Sequence, residues 1–416
     1  MSGSRKAPEH APQTAFETRD NELLVGGTPV SALAQRVGDR AFYAYDGAIM
    51  TRNVERLRAQ LPPRISLHYA MKANPMPAVV THLAGLTNGL DVASAAELRV
   101  ALATGINPRD ISFAGPGKSA EDLETAVEAG VIIVLESPTE AQRVMELARQ
   151  RGDRVPVALR VNPDFQLKAS GMKMGGGSQP FGTDAEVIPD VLATLDNNVL
   201  EVLGFHIFWG SQNLRPEGIM EAHGKTLALA ARLAPSLPGP LRWLNIGGGL
   251  GVPYFPGETP LDVAPIMEAL TGTLAEYGDL LADTEVVMEL GRYLVAEAGL
   301  YVCRVTDRKE SRGTTYLVTN GGLHHYLSVT GNFGQVIRKN YPVCVANRVE
   351  SASKEPVTVV GPLCTPLDLI AQNMTLPPAG IDDLIAVYMS GAYGYTASPH
   401  HFLSHPEPVE LFMPGP

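Results

Sequence analysis

The chain has 416 residues, 45% of them hydrophobic, enough to bury the cores of two ordinary domains in a folded, soluble protein. Its 44 acidic against 33 basic side chains leave a net charge of -11, the wrong sign for non-specific attraction to nucleic acid or to an anionic membrane. Cys303, Cys344 and Cys364 are odd in number and far apart, with no CxxC pair. They indicate neither a zinc site nor a disulfide framework, and a reducing cytoplasm is expected.

Taken in chain order, residues 1–20 mix charge with Pro and Ala, lack the apolar stretch of a signal peptide, and are expected to form a disordered tail. No later segment offers the roughly 18 uninterrupted apolar residues of a membrane span. Residues 21–47 contain a strand-like stretch, Ala41–Tyr45, expected to join a β domain formed mainly by the far end of the chain. Short β-rich runs then alternate with helical patterns. The runs are Ile65–Tyr69, Leu90–Val92, Ile111–Ala114, Val131–Leu135, Val157–Val161, Val202–Ile207, Trp243–Ile246 and Glu285–Met288. Between them lie Ala- and Leu-rich segments such as Ala95–Thr104, Pro138–Arg149 and Ile219–Leu233. Eight βα repeats over roughly 230 residues predict an α/β protein built on a TIM (β/α)8 barrel, placed at residues 48–298. From 299 to 416 the pattern changes to short strands between Gly, Pro and Asn, as in Thr315–Val318, Pro356–Val360 and Leu384–Met389, which predicts a β domain.

A barrel gathers its active site at the C-terminal ends of its strands, so position after a strand is a test of function. Lys72 follows strand 1, Asp91 ends strand 2, Arg160 ends strand 5, and His206 and Phe208 end strand 6. Gly247-Gly248-Gly249 follows strand 7, and Glu289 and Arg292 follow strand 8. A lysine just inside a barrel mouth is partly desolvated and forms imines with aldehydes; a solvated lysine at a strand end is the plain alternative. Three consecutive glycines let backbone N–H groups approach a phosphate where barrels commonly bind one, although a tight turn needs glycine too. A carboxylate such as Glu289 against a pyridine nitrogen keeps that nitrogen protonated and the ring electron-poor, and Arg292 is within reach of a phosphate. The alternative for this pair is a salt bridge at the rim.

With these residues in place the chain resembles the fold-type III pyridoxal-phosphate decarboxylases, which include diaminopimelate, ornithine and arginine decarboxylases and share an alanine racemase-like fold. The matching segments are His68–Pro75, Gly204–Gln212, Asn245–Gly251, Glu289–Ala298, Gly361–Asp368 and Ser390–Gly394, in the family's order. The resemblance implies that Lys72 holds pyridoxal 5′-phosphate, that Glu289 faces its pyridine nitrogen, and that Gly247, Gly248, Gly249, Arg292, Ser211 and Tyr393 bind its phosphate. Asp91, Arg160, His206 and Phe208 complete the expected cofactor site. It also implies a homodimer in which Cys364 enters the neighbouring subunit's active site as proton donor or guide for the departing carboxylate; a buried structural cysteine is the alternative. Cys303 and Cys344 have no such setting and are expected in the core.

Departures from the family are informative. Phe208 stands where familiar members have a stacking histidine, so stacking is kept and a proton donor lost. Asn320-Gly321-Gly322-Leu323-His324-His325-Tyr326 and Ser404-His405-Pro406-Glu407-Pro408 carry histidine where diaminopimelate decarboxylases carry substrate-carboxylate arginines. Together with Ser170–Gly176 and Asn332–Arg338, these variants look more like the branch associated with exosortase systems and with carrier-protein-bound aminoacyl substrates. Adjacent histidines on a strand point to opposite faces, so His324-His325 and His400-His401 are not expected to bind metal.

The reading is therefore a decarboxylase acting at the α-carboxylate of an amino acid or aminoacyl derivative, carrier-bound in the version the departures favour. The rivals are a diaminopimelate decarboxylase acting on free substrate, an amino-acid racemase, and an inactive regulatory homologue. Glu289 argues against the racemase, whose pyridine nitrogen faces an arginine. For docking an acidic carrier, the sequence offers Arg304, Arg308, Lys309 and Arg312, with Arg338 and Lys339 as further members, or else merely a solvated strand edge.

Overall fold

The computed structural model describes residues 8–166, 172–333, 335 and 337–415. Residues 1–7 of the expected tail, and Ser170, Gly171, Gly334 and Val336 of the two branch-like segments, lie outside the described residues. Contacts divide the chain into two units. One comprises Val54–Val252 and Leu261–Tyr293; the other comprises the chain up to Asn53, Pro253–Pro260 and Leu294 onward.

The first unit is a closed barrel of eight parallel strands: Ile65–Ala70, Gly89–Val92, Ile111–Phe113, Ile132–Leu135, Val155–Asn162, Leu200–His206, Trp243–Asn245 and Glu285–Leu290. Each pairs with the next, and the eighth closes on the first through Glu289↔His68 and Leu290↔Tyr69. These strands read as apolar runs because both faces are covered, one by the barrel interior and one by helices. Ile132–Leu135 and Val155–Asn162 are buried along their whole length. Ile132, Val134, Ala158, Leu203, Trp243 and Val287, from five strands, form one packed cluster. Serines start the crossover helices. Ser94 and Ser137 accept hydrogen bonds from the amides of Glu97 and Glu140, and Ser119 forms a capping box with Asp122. Gly130 and Gly152, both left-handed, end two of these helices and turn the chain back toward the barrel. The topology brings every strand's C-terminal end to one mouth.

The second unit is built on a mixed sheet of eight strands. Its longest strand, Gly299–Ser311, pairs antiparallel with Phe42–Asp46, Leu384–Val387 and Thr314–Thr319, and Phe42–Asp46 pairs in parallel with Val409–Met413. The N-terminal strand thus completes the β domain, as the sequence indicates.

Several expectations are corrected. Residues 8–20 are not a bare tail: Phe16 is buried against Tyr388, with ring centroids 6.3 Å apart, and Thr18–Arg19 pairs with the strand Glu22–Val25. Pro253–Pro260, expected in the barrel, belongs to the other unit because Tyr254 and Phe255 pack on Tyr341, at 4.8 and 5.6 Å between ring centroids. His324 and His325 lie in a turn rather than a strand, and their rings approach to 3.7 Å. Three members of the basic run are already partnered. Arg308 forks onto Glu355 at 2.7 and 3.0 Å, and Arg304 lies 3.7 Å from Asp382. Arg338 uses its guanidinium on Asn340 and on the Leu369 and Ile370 carbonyls, at 2.9, 3.0 and 3.0 Å. Among the described residues no helix is long and apolar enough to cross a membrane.

Candidate active site

Lys72 sits in a single 3₁₀ turn, Met71–Ala73, immediately after the first strand, where the chain leaves the sheet at the barrel mouth. Its Nζ lies 2.9 Å from Glu289 Oε1, and its side chain is 43% exposed while that of Glu289 is 3% exposed. Glu289 projects from the eighth strand, whose register places it beside the first. Its other oxygen, Oε2, lies 3.2 Å from His206 Nε2 and accepts a hydrogen bond from Asn245 Nδ2 at 3.4 Å. Burial alone would raise the Glu289 pKa. Lys72 and then His206 overcome that and hold the carboxyl well below its usual range. The result favours a negative charge at the barrel mouth.

Around this pair lies a cavity of about 190 Å³ whose wall includes Lys72, Asp91, Arg160, His206, Phe208 and Glu289. Six expected residues from five strands or their ends are therefore brought together. Phe208 lies under the lysine, with its ring centroid 5.7 Å from Nζ, and its ring stands 64° to that of His206. Arg160 is held 2.9 Å from Glu136, whose carboxylate also accepts the Gly115 and Gly182 amides at 2.8 and 2.7 Å. Burial acts to raise the Glu136 pKa, but Arg160 and Lys118 hold it below the usual value. Sequence reasoning missed Glu136, although it follows the fourth strand directly and the strand-end test applies to it as well as to Arg160.

The glycine loop does not line the cavity wall but is shaped by close packing. Gly247 and Gly249 are left-handed, at φ 71° and 76°. A Cβ on Gly248 would meet the Glu289 carbonyl oxygen at 2.1 Å, and one on Gly249 would meet the Trp209 ring at 2.5 Å. Asn245, also missed, pins the turn by accepting the Gly247 amide at 2.8 Å. Ser211 lies in a two-residue strand paired with Met172–Lys173, and Arg292 opens the helix Arg292–Val295 just after the eighth strand.

Cys364 and Tyr393 belong to the other unit. Cys364 is exposed, which corrects the buried alternative, on a loop fixed by Asp368: that carboxylate accepts the Leu363 and Leu323 amides at 2.8 and 2.6 Å. Tyr393 has a left-handed backbone, φ 51°, and its carbonyl accepts the Ser328 hydroxyl at 3.2 Å. Cys303 is buried and Cys344 partly so, and burial pushes each thiol up to about 12. Among the described residues no group of three or more His, Cys, Asp or Glu is arranged to hold a metal ion.

A parallel barrel here presents at its mouth a lysine against a buried carboxylate, near a glycine turn, an arrangement suited to imine chemistry. Residues 48–296 match the pyridoxal binding domain of the pyridoxal-dependent decarboxylases. The chain is 36% identical to the L-glutamyl-[BtrI acyl-carrier protein] decarboxylase of Niallia circulans, over 92% of this chain and 90% of the relative. It is 32% identical to the diaminopimelate decarboxylase of Pseudomonas aeruginosa, over 93% and 90%. Its fold superposes on the crystal structure of Helicobacter pylori diaminopimelate decarboxylase complexed with L-lysine, with a TM-score of 0.81 at 27% identity, covering 92% of this chain and 93% of that one. The chain belongs to the pyridoxal-dependent decarboxylases, carboxy-lyases that use pyridoxal 5′-phosphate.

The residues present fit that cofactor. The Gly247–Gly249 turn leaves no room for a side chain, so only backbone faces whatever it cradles. The buried Glu289 carboxylate is a ready partner for a protonated pyridine nitrogen, and Asp91 Oδ2 is buried in the cavity wall without a hydrogen-bond partner among the described residues.

Proposed function

We propose that the enzyme removes the α-carboxylate of an aminoacyl group carried by a protein, as a cytoplasmic homodimer whose active sites are completed by Cys364 of the second copy. The observation that carries the chemistry is the 2.9 Å pairing of Lys72 with a buried Glu289 at the cavity. Pyridoxal phosphate, when bound, supplies an aldehyde that captures amines and a ring that takes up the electron pair released with carbon dioxide. Lys72 is the amine that would hold the cofactor. Glu289 keeps a proton on the pyridine nitrogen, and His206 and Asn245 keep Glu289 in place. Phe208 lines the cavity beside Lys72 and would pack against the cofactor without offering a proton, so the proton that replaces carbon dioxide would come from another group, for which Cys364 is the candidate. Glycines 247–249, Arg292, Ser211 and Tyr393 bind the phosphate, while Asp91 and Arg160 contact the rest of the cofactor.

Three observations support the carrier-bound substrate and the shared site. The relative at 36% identity bears the name of a carrier-protein aminoacyl decarboxylase. In one of the segments that resemble the carboxylate-binding arginine regions, Asn320–Tyr326, burial disfavours a charge on the histidines: His324 is lowered to about 3 and His325 to about 4. A neutral imidazole there is a poor partner for a second free carboxylate. Cys364 is exposed, so its thiol is open to another copy of the chain. The test is carbon dioxide release from matched free amino acids and aminoacyl groups on a carrier. Turnover confined to the carrier-bound form is expected; equal turnover of a free amino acid removes the carrier from the account.

A further inference from the structure

Below the cavity, the barrel interior holds a column of charge that the reaction as described does not use. His68 in the first strand is 1% exposed. Its Nδ1 lies 3.8 Å from Asp91 Oδ1 in the second strand, and its Nε2 lies 3.9 Å from Glu285 Oε1 at the start of the eighth. Asp91 is part of the cavity wall, whereas Glu285 lies four residues below Glu289 on the same strand and is 43% exposed. The column therefore runs from solvent near the N-terminal end of the eighth strand up to the cofactor cavity.

The sequence makes room for it. Gly89 pairs with His68, and a Cβ there would meet the imidazole at 2.4 Å, so the ring occupies space that only glycine leaves open. The Asp91 carboxylate is hydrogen-bonded by one neighbour and faces the imidazole, whose two nitrogens have no hydrogen-bond partner among the described residues and meet the carboxylates only as charge partners. Asp91 Oδ1 accepts the Ser112 hydroxyl from the third strand and faces His68, while Oδ2 has no hydrogen-bond partner among the described residues. A buried carboxylate oxygen left unpaired in a cavity wall costs free energy until a ligand donor meets it. The charged groups that face His68 are Asp91 and Glu285, with Asp110 adding a further negative charge from the segment before the third strand. Burial opposes a charge on the imidazole, but Asp91 and Glu285 together outweigh it and raise the pKa to about 9.

We propose that His68 is a positioning residue for cofactor binding: a buried imidazole set between Asp91 and Glu285, it orients the Asp91 carboxylate so that its unpaired oxygen accepts a hydrogen bond from the bound pyridoxal phosphate. This rests on the cavity being the cofactor site. Two neighbouring elements make the role more than packing. Hydrophobic residues would fill the same space at lower desolvation cost, and the imidazole's two ring nitrogens each face a carboxylate, one of which borders the cavity.

The experiment is a double-mutant cycle on the dissociation constant for pyridoxal phosphate, read by visible absorbance on purified full-length protein, with thermal unfolding recorded for each variant. His68→Gln and Asp91→Asn should each weaken binding about tenfold, and the double variant should be no weaker than Asp91→Asn alone, because His68 acts through Asp91. Glu285→Gln, at the exposed end, should fold normally and weaken binding by a smaller factor. Additive losses in the double variant, or unchanged affinity in a folded His68→Gln protein, overturn the proposal. Should His68→Gln fail to fold, unchanged affinity in Glu285→Gln overturns it. Failure of the underlying site assignment reads differently: Lys72→Ala and Asp91→Asn would then leave cofactor binding intact.

Discussion

Replacing Glu289 with Gln keeps the volume of the side chain and removes its charge. In the native protein that charge meets Lys72 Nζ at 2.9 Å and lies 3.2 Å from His206 Nε2. Breaking a fully buried ion pair costs about 3–5 kcal/mol. Lys72 is 43% exposed, so water takes over part of the interaction and the stability loss should be nearer 1 kcal/mol. The kinetic loss is larger, because a preorganised partner for developing charge contributes about 10²–10³ in kcat, or about 3–4 kcal/mol. Glu289→Gln should therefore fold, bind pyridoxal phosphate through Lys72, and release carbon dioxide about 100- to 1000-fold more slowly at saturating substrate. Glu289→Asp, which keeps the charge but draws it back by one methylene, should fall between the two. The assay is carbon dioxide release normalised to cofactor content, with thermal unfolding as the control. A fully loaded Glu289→Gln enzyme turning over within about threefold of the native rate would refute the reasoning.

Three further outcomes are expected. Gly248→Ala places a Cβ 2.1 Å from the Glu289 carbonyl oxygen, so the backbone must shift; overpacking of this kind costs about 1–3 kcal/mol and should weaken cofactor binding by at least about tenfold in equilibrium dialysis. Unchanged affinity would remove the glycine turn from the phosphate site. His68, raised from 6.5 to about 9 in the folded protein, contributes stability that is fully present below pH 6.5 and is lost as pH rises through about 9. At about 1.36 kcal/mol per pKa unit this is at most about 3 kcal/mol; thermal unfolding between pH 6 and 10 should show it, and His68→Gln should flatten that slope. An unaltered slope would assign the pH dependence to other groups. Mixing Lys72→Ala with Cys364→Ala chains should restore activity, since one site of each mixed dimer regains both residues; no recovery despite confirmed subunit exchange would exclude a shared site.

Much of the barrel was legible because its determinants are local. The runs at Ile132–Leu135 and Val155–Asn162 are apolar throughout, and Ser94, Ser119 and Ser137 announce the helices that follow them. The mouth was legible for the same reason: once the strands are counted, the residues at their ends are fixed, and six of them line one cavity. What escaped depends on distant partners. Nothing near Arg308 in sequence signals Glu355, and nothing near Arg338 signals the carbonyls of Leu369 and Ile370, so the partners of these two cations were not legible. His68 and Glu285 are 217 residues from forming an obvious pair by sequence, yet the barrel closure sets their strands side by side. Phe16 shows the same limit in the tail, where one aromatic side chain packing on Tyr388 orders a segment whose composition suggests disorder.

The assignment of Lys72 as the cofactor lysine is the feature most open to direct test. Lys118 is the informative competitor: it is also in the barrel unit and 5% exposed, but its Nζ is committed to the Gly115 and Val134 carbonyls and to Glu140, at 2.9, 2.8 and 2.8 Å. Lys72 lines the cavity and Lys118 does not. Borohydride reduction of the native enzyme with bound pyridoxal phosphate, followed by peptide mapping, should place the label on Lys72 alone; a label on Lys118 or any other lysine would contradict the site proposed for this decarboxylase.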